Sequence, residues 1–254
     1  KSRAKNVAKI VDKVASIFPF EYDVYKEAGA NVEFVGHPLV DIVKPKMTEA
    51  EANTFAGKQD DRKLILIMPG SRLMEIEKML PTLLEAAKLI KKQLPEVDFV
   101  MPRAGSIPLQ MLEEKIKASG ISVKITEGNN YDLFSVADLA LATSGTVTLE
   151  AALCGLGSVI VYRTNPLTYF IAKLVVNIPH IGLPNIVAGK SVLPELIQDD
   201  FTPEKVAKEA ISLLERERNA KMKEDLAYVK ERLGKPGAVG RVAELVLKIA
   251  GEKK

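Results

Sequence analysis

The hydrophobic and polar positions of the chain form two alternating patterns that predict an α/β fold. Short runs that are apolar throughout, such as residues 64–68, are typical of strands buried on both faces of a parallel sheet. Most of these runs precede a segment whose apolar residues recur at helical spacing, as in residues 76–87. This alternation predicts a doubly wound parallel sheet with right-handed crossovers. The predicted strands are residues 64–68, 99–101, 123–125, 139–143 and 159–162.

The regions on either side of this alternating core follow other patterns. Residues 7–17 carry apolar side chains at helical spacing, which predicts an amphipathic helix ended by Pro19. Residues 32–35 predict a strand. The polar stretch 44–62 is interpreted as the connection between two units, and the chain after Pro203 is predicted to be helical apart from a break at 234–240.

Composition narrows the classes of protein that remain. The chain has 254 residues, a net charge of +3 and one cysteine, so an intrachain disulfide and a four-cysteine zinc site are excluded. The balanced charge argues against a nucleic-acid partner. The longest apolar run, residues 169–176, is interrupted by Lys173 and is far shorter than the ~20 residues of a membrane span. Fingerprints for nucleoside triphosphate hydrolysis and for nicotinamide binding are absent from the sequence.

The first candidate site is the loop Pro69-Gly70-Ser71-Arg72, at a predicted strand-to-helix junction. In doubly wound sheets, ligands bind at the carboxyl ends of the strands, where helix N-termini present free N–H groups. A guanidinium at this place can hold a phosphate with two parallel hydrogen bonds. The residues alone leave a second interpretation open, in which Ser71 is a helix N-cap and Arg72 a solvated side chain.

The second candidate is the loop Thr143-Ser144-Gly145-Thr146, which precedes another predicted helix. Its hydroxyl and N–H groups suit a diphosphate, and Gly145 permits close approach of the backbone. Glu150 lies about one helical turn beyond Thr146, where a carboxylate could accept hydrogen bonds from a ribose diol. The alternative is an acidic residue that merely favours the positive end of a helix dipole.

Two further residues are weaker candidates. Asn185, in Leu183-Pro184-Asn185, could present its amide to the edge of a base or could serve only as a turn residue. His37, between Gly36 and Pro38 at a strand end, is either a structural turn residue or a general base facing a cleft between domains.

Taken in order, the short motifs of the chain resemble those of the bacterial lipid-A-disaccharide synthase family. The motif Met68-Pro69-Gly70-Ser71-Arg72 with Glu75 and Ile76 is central to this resemblance, which covers nearly the whole chain. The other matching motifs are Phe18-Pro19-Phe20-Glu21, Val35-Gly36-His37-Pro38, Ser144-Gly145-Thr146 with Leu149 and Glu150, Tyr162-Arg163, and Leu183-Pro184-Asn185.

The resemblance implies an inverting glycosyltransferase of the two-domain GT-B architecture, which needs no metal and no cofactor. Its reaction transfers 2,3-diacylglucosamine from UDP-2,3-diacylglucosamine to 2,3-diacylglucosamine 1-phosphate (lipid X) and releases UDP. The enzyme would act as a peripheral protein on the cytoplasmic face of the inner membrane.

The resemblance also implies roles for the candidate residues. Arg72 and Ser71 would hold the leaving diphosphate, residues 144–146 would bind it further, Glu150 would take the ribose hydroxyls, and Asn185 would lie against the nucleotide. The role of Glu75 stays open.

The same resemblance implies an incomplete enzyme. The family's glycine-rich N-terminal motif, its proposed aspartate base and its apolar membrane-docking patch have no counterpart in this sequence, which begins at Lys1. We expect residues 1–43 to be the remnant of an acceptor and membrane domain and residues 44–233 to be the donor-binding domain. Residues 234–254 would then be a helix that packs back on the first domain in a swapped homodimer.

Several alternatives remain at this point. The chain could be a UDP-binding module without catalysis, or another UDP-sugar enzyme such as the peptidoglycan N-acetylglucosamine transferase or a UDP-N-acetylglucosamine 2-epimerase. Apolar residues around Lys173 could meet acyl chains, although helical spacing of this kind is more typical of a core helix. They are Tyr169, Phe170, Ile171, Leu174 and Val175.

Overall fold

The structure, a computed structural model, describes residues 2–165 and 179–252. Its helices and strands alternate along most of the chain, and both of its sheets are parallel. The first five elements are α1 (Ser2–Ile10), β1 (Val14–Ser16), α2 (Pro19–Glu27), β2 (Val32–Phe34) and α3 (Leu39–Ile42).

The single helix predicted over residues 7–17 is wrong in its second half. Helix α1 ends at Ile10, and β1 then pairs in parallel with β2, with Val14 opposite Val32. Apolar residues at positions 7, 10, 11, 14 and 17 fit a helical period. The pairing with β2 overrides that period, because a strand is selected by a partner that lies elsewhere in the sequence.

The remaining elements build one large sheet with helices on both faces and then a helical end. They are α4 (Glu49–Ala56), β3 (Lys63–Met68), α5 (Leu73–Gln93), β4 (Val97–Arg103), α6 (Leu109–Ser119), β5 (Lys124–Glu127), α7 (Asn130–Val136), β6 (Leu139–Thr143), α8 (Thr146–Leu153), β7 (Ser158–Tyr162), α9 (Leu183–Ala188), β8 (Glu195–Ile197), α10 (Pro203–Leu214), α11 (Arg216–Arg232) and α12 (Ala238–Glu252).

The large sheet has the strand order β5-β4-β3-β6-β7-β8. All five predicted strands are present, and the α/β class with a doubly wound parallel sheet is confirmed. Residues Leu64–Ile67 of β3 have no exposed surface, because helices cover both faces of the sheet. Strand order reverses between β3 and β6, and such a switch point is where ligands bind in this fold class.

The polar stretch 44–62 is more than a connection. Helix α4 begins with a capping box, in which Thr48 and Glu51 satisfy each other's backbone N–H groups. Its Ala52 and Ala56 are buried in the core beside β3. The Asp132 carboxylate of α7 accepts hydrogen bonds from the backbone N–H groups of Lys46 and Met47, at 2.6 and 2.7 Å. This segment is therefore part of the folded domain.

The chain divides into two compact units. The terminal unit comprises Lys1–Val43 and Ala227–Lys254, and the sheet unit comprises Lys44–Leu226. Within the terminal unit, the Asp41 carboxylate accepts hydrogen bonds from the Gly237 N–H at 2.8 and 3.0 Å, and Arg241 Nε donates to the Val35 carbonyl at 2.8 Å.

The boundary at Leu226 falls inside α11, seven residues before the domain end expected at residue 233. Among the described helices, no helix is both long enough and apolar enough to cross a membrane.

Candidate functional site

A cavity of about 400 Å³ opens at the carboxyl ends of β3 and β6, at the switch point of the sheet. It lies within the sheet unit, and two of the loops predicted from the sequence meet there. Seven of the predicted site residues line it together, namely Ser71, Arg72, Glu75, Ser144, Gly145, Thr146 and Glu150. The other lining residues are Met68, Gly70, Pro102, Ala104, Asn130, Thr143 and Val147.

The Glu75 carboxylate organises the first loop. Its Oε2 accepts hydrogen bonds from the backbone N–H groups of Ser71 at 2.9 Å and Arg72 at 3.2 Å. Its Oε1 accepts one from Arg72 Nη1 at 2.8 Å. The N-cap position of α5 is Arg72, and Glu75 caps the helix from its third position. The interpretation of Ser71 as the N-cap is therefore wrong.

The Arg72 side chain is 81% exposed, and its guanidinium has five N–H donors. Its one ion pair in the described part of the chain, with Glu75, leaves most of those donors available to a ligand. Ser106 Oγ donates to the Ser71 carbonyl at 2.8 Å, so the loop between β4 and α6 supports the site.

Gly70 is required by this arrangement. Its φ of +114° lies in a region that L side chains avoid. A Cβ at Gly70 would lie 2.6 Å from the Glu75 Cβ and 2.4 Å from Glu75 Oε2. The absent side chain therefore makes room for the carboxylate that binds the loop.

The second loop is held by contacts from three directions. Ser144 N donates to the Val161 carbonyl at 2.9 Å, and Ser144 Oγ donates to the Ile181 carbonyl at 3.0 Å. Thr148 Oγ1 donates to the Gly145 carbonyl at 2.8 Å. Gly145 and Thr146 stand at the N-terminus of α8, where the first N–H groups of a helix lack intrahelical partners. The loop thus presents backbone donors, while its Ser144 hydroxyl donates within the chain.

Glu150 is a half-buried carboxylate in the wall of the cavity. The carboxylate makes no hydrogen bond or ion pair with any residue that the structure describes, and burial raises its pKa above the usual range of a glutamate. Burial of Tyr131 itself, and then the nearby charge of Glu150, raises the pKa of the Tyr131 hydroxyl. A carboxylate left without donors in a cavity is a group that a ligand with hydroxyl donors can satisfy.

Thr143 is a second group in the wall without a partner. Its residue is 3% exposed, and its hydroxyl has no hydrogen-bond partner among the described residues. Buried hydroxyls are nearly always hydrogen-bonded, so an unpaired one beside a cavity indicates a place for a ligand atom.

Asn185 does not reach this cavity, which corrects the expected contact with a nucleotide. The residue has no exposed surface. Its Oδ1 accepts from the N–H groups of Val192 and Leu193 at 2.8 and 2.9 Å. Its Nδ2 donates to the Leu193 carbonyl and to Glu195 Oε1, at 2.9 and 2.7 Å. All four hydrogen-bonding positions of the amide are used within the chain, so none remains for a base edge.

His37 lies in the terminal unit and is 7% exposed. Its Nδ1 accepts a hydrogen bond from the Leu39 N–H at 3.1 Å, and its ring lies 4.7 Å from that of Phe18, centroid to centroid. Burial lowers the pKa of the imidazole, and a nitrogen that accepts an N–H is unprotonated. These contacts explain His37 as a turn residue, and its expected catalytic role stays a prediction.

Sequence reasoning missed two residues that shape this region, Asn130 and Glu195, and it placed Thr143 in the second loop without assigning it a separate role. Asn130 and Thr143 line the cavity, and Glu195 accepts from the N–H groups of Ile181 and Gly182 at 2.9 and 3.0 Å. Asn130 and Thr143 each end or follow a strand, which is a usable signal. Glu195 gives no comparable signal, because its partners lie 13 and 14 residues away. The apolar residues around Lys173 lie outside the described residues.

A family model described as lipid-A-disaccharide synthetase matches residues 1–248. The lipid-A-disaccharide synthases of Geobacter metallireducens and Geobacter sulfurreducens are each 42% identical to the chain over 253 and 252 residues. Those matches cover 99% of this chain but only 66% of either relative, so the chain spans just under two thirds of their length.

Solved structures show the same fold at low sequence identity. The UDP-GlcNAc 2-epimerase of Neisseria meningitidis, solved with UDP-GlcNAc bound, aligns with a TM-score of 0.65 and 17% identity. The alignment covers 95% of this chain and 62% of that one.

Proposed function

The chain belongs to the lipid-A-disaccharide synthetase family, and on that premise we propose that its sheet unit binds the UDP moiety of a lipid-linked sugar donor. The donor is UDP-2,3-diacylglucosamine, and the acceptor is 2,3-diacylglucosamine 1-phosphate. Transfer of the sugar would release UDP at the cytoplasmic face of the inner membrane. The family match favours this reaction over those of the peptidoglycan transferase and the epimerase.

One observation carries the proposal, namely the composition of the cavity at the switch point. The N-termini of two helices, α5 and α8, meet there with the guanidinium of Arg72. Helix N-termini carry partial positive charge and free N–H donors, so the cavity suits a diphosphate. The Neisseria epimerase with the same fold was solved with a UDP-sugar, which supports this choice of ligand.

The remaining wall suits the nucleoside. We assign the ribose hydroxyls to Glu150, because a diol supplies the donors that this carboxylate lacks in the described part of the chain. We assign to Asn130 the nucleotide contact expected of Asn185, because the Asn130 side chain lines the cavity.

The chemistry that follows is the stabilisation of a leaving group. In the transfer, the acceptor 6-oxygen forms a bond to C1 of the donor glucosamine while the bond from C1 to the diphosphate oxygen breaks. Negative charge accumulates on the leaving β-phosphate. Arg72 and the N–H groups of Ser71 and Thr146 would stabilise that charge, in the manner of an oxyanion hole. The acceptor hydroxyl gives its proton to a base that we do not place among the cavity residues.

Titration of the chain with UDP and with uridine by calorimetry tests this assignment. We expect Arg72→Ala to weaken UDP binding by about tenfold, or ~1.4 kcal/mol, and to leave uridine binding unchanged, because it removes a phosphate contact. Glu150→Ala should weaken both ligands, because the ribose is common to them.

Arg216→Ala and Glu77→Gln, at exposed positions outside the cavity, serve as matched controls for the loss of one charge. Unchanged UDP affinity in both Arg72→Ala and Glu150→Ala would contradict the proposal. Turnover assays with both lipid substrates then separate a catalytic chain from one that only binds UDP.

A further inference from the structure

The Glu75 carboxylate makes the contacts to the first loop that a phosphate group would make. One of its oxygens accepts from two consecutive backbone N–H groups, those of Ser71 and Arg72, and the other accepts from the Arg72 guanidinium. Two N–H groups and one guanidinium on the oxygens of a single anion are the usual contacts of bound phosphate. In the described structure, the two backbone donors of this loop and one donor of the Arg72 guanidinium are therefore already occupied by a side chain.

We propose that Glu75 is an internal competitor of the diphosphate, and that UDP displaces its carboxylate from the Ser71 and Arg72 N–H groups. The inference rests on the proposed function and names the regulation of the same site. Each backbone N–H has one hydrogen to donate, so a phosphate oxygen and Glu75 Oε2 cannot both accept it at 2.9 and 3.2 Å. A phosphate that contacts the same N–H groups as the Glu75 carboxylate would also be repelled by the negative charge of that carboxylate.

The exchange conserves most of the interactions of the loop. A phosphate satisfies the same N-terminal donors of α5 that the carboxylate releases, so the helix keeps its cap. The ion pair that the departing carboxylate would weaken is between Glu75, whose side chain is 19% exposed, and Arg72, whose side chain is 81% exposed. Ion pairs with an exposed partner contribute little stability, so solvent can take up the freed carboxylate at modest cost.

Competition of this kind has a consequence for turnover. A transferase has to release UDP after each transfer, and a built-in carboxylate that returns to the loop lowers the affinity for the diphosphate product. It also screens the loop donors from other anions until a ligand with uridine contacts is present. Glu75 would thus set the affinity for the diphosphate and leave the nucleoside part of the site unaffected.

The experiment compares UDP and uridine binding to the wild-type chain, Glu75→Gln and Glu77→Gln. Glu77 is exposed two residues along the same helix and does not line the cavity, so its variant controls for the loss of one negative charge near the N-terminus of α5. We expect Glu75→Gln to bind UDP at least fivefold more tightly than wild type, with slower UDP dissociation in stopped-flow measurements. Uridine affinity should stay within twofold, and Glu77→Gln should match wild type.

Weaker or unchanged UDP binding by Glu75→Gln overturns the competition, because it makes Glu75 a group that positions the loop or one that does not affect the ligand. A crystal structure of the wild-type chain with UDP also tests whether the carboxylate is displaced, and it needs no variant. A carboxylate that has left both N–H groups supports the inference, and one still bonded to them overturns it. Absence of UDP binding by the wild-type chain would instead contradict the proposed function itself.

Discussion

At the scale of single residues, the site is marked by polar groups that the fold leaves unsatisfied. Glu150 and Thr143 both line the cavity without a hydrogen-bond partner in the described part of the chain, and Glu150 is also desolvated. Unpaired buried polar groups reduce the stability of a fold. These two groups therefore lower the stability of the free protein, and a ligand that hydrogen-bonds to them would offset that loss.

The substitution Glu150→Gln should therefore stabilise the free protein at neutral pH. Burial raises the folded-state pKa of Glu150 above its unfolded value, so the stability that this group contributes is present at low pH and is lost as pH rises through the folded pKa. A neutral amide avoids that loss. We expect a rise in Tm of about 2–4 °C at pH 7, the shift that ~1 kcal/mol produces in a chain of this size.

The gain should shrink to nothing below the ordinary glutamate pKa of ~4.3, where the wild-type carboxyl is protonated in both states. Glu77→Gln, at an exposed position, is the matched control and should leave Tm unchanged at both pH values. A lower Tm for Glu150→Gln at pH 7 would show that the carboxylate has a stabilising partner.

The sequence identified Ser71, Arg72 and Glu150 as site candidates because residue type and position after a strand carry that information. It misassigned Asn185, because an amide in a loop looks the same whether it faces a ligand or is enclosed. Only the fold brings Val192, Leu193 and Glu195 around it and uses every donor and acceptor of the amide.

At the scale of elements, the junction between β3 and α5 depends on its glycine. Gly70→Ala introduces a Cβ 2.6 Å from the Cβ of Glu75, a clash that rotation of the Glu75 side chain cannot relieve, at a φ of +114°. We expect this variant to lose UDP affinity by tenfold or more, because the loop donors move. Differential scanning calorimetry should show a lower Tm, consistent with a cost of ~1–3 kcal/mol for a strained backbone.

Gly105→Ala is the matched control. This glycine lies in the next strand-to-helix loop, its added Cβ would meet nothing within 4 Å, and it is not among the glycines with positive φ. The variant should keep both the UDP affinity and the Tm of the wild type. Equal losses in the two variants would refute the explanation given for Gly70.

Five of the six described strands of the large sheet were predicted, because burial on both faces produces runs that are apolar throughout. The sixth, β8 (Glu195–Ile197), was not predicted. The short strand β1 was not predicted either, because its residues also satisfy a helical period and only the distant β2 selects the extended form. Helix α4 was not predicted, because it lies in a polar stretch and its buried residues are Ala52 and Ala56, which give only a weak apolar signal. Its Thr48 and Glu51 capping box was the signal available in the sequence.

At the scale of the whole molecule, the effect of UDP should be confined to one unit. Every described residue that lines the cavity belongs to Lys44–Leu226. Ligand at 100 times its Kd stabilises the state that binds it by about 2.7 kcal/mol, which slows exchange through global opening about a hundredfold. Hydrogen exchange should therefore slow in peptides of the sheet unit and stay unchanged in residues 2–43 and 238–252.

With UDP, peptides around Ser71 and Thr146 should show the largest change. With uridine, the Glu150 region should be protected more than the Ser71 region. Equal slowing in both units would contradict a site confined to the sheet unit.

The terminal unit is built from two segments that lie far apart in the sequence, and this has a consequence for the order of folding. Its hydrogen bonds join residues as far apart in sequence as Asp41 and Gly237, or Val35 and Arg241, separated by 196 and 206 positions. On the ribosome, residues 2–43 emerge long before the C-terminal residues to which they form these hydrogen bonds. The sheet unit can thus fold before residues 2–43 form their hydrogen bonds with the C-terminal segment. Such long-range closure is slow, so chaperone dependence during synthesis would arise in the terminal unit.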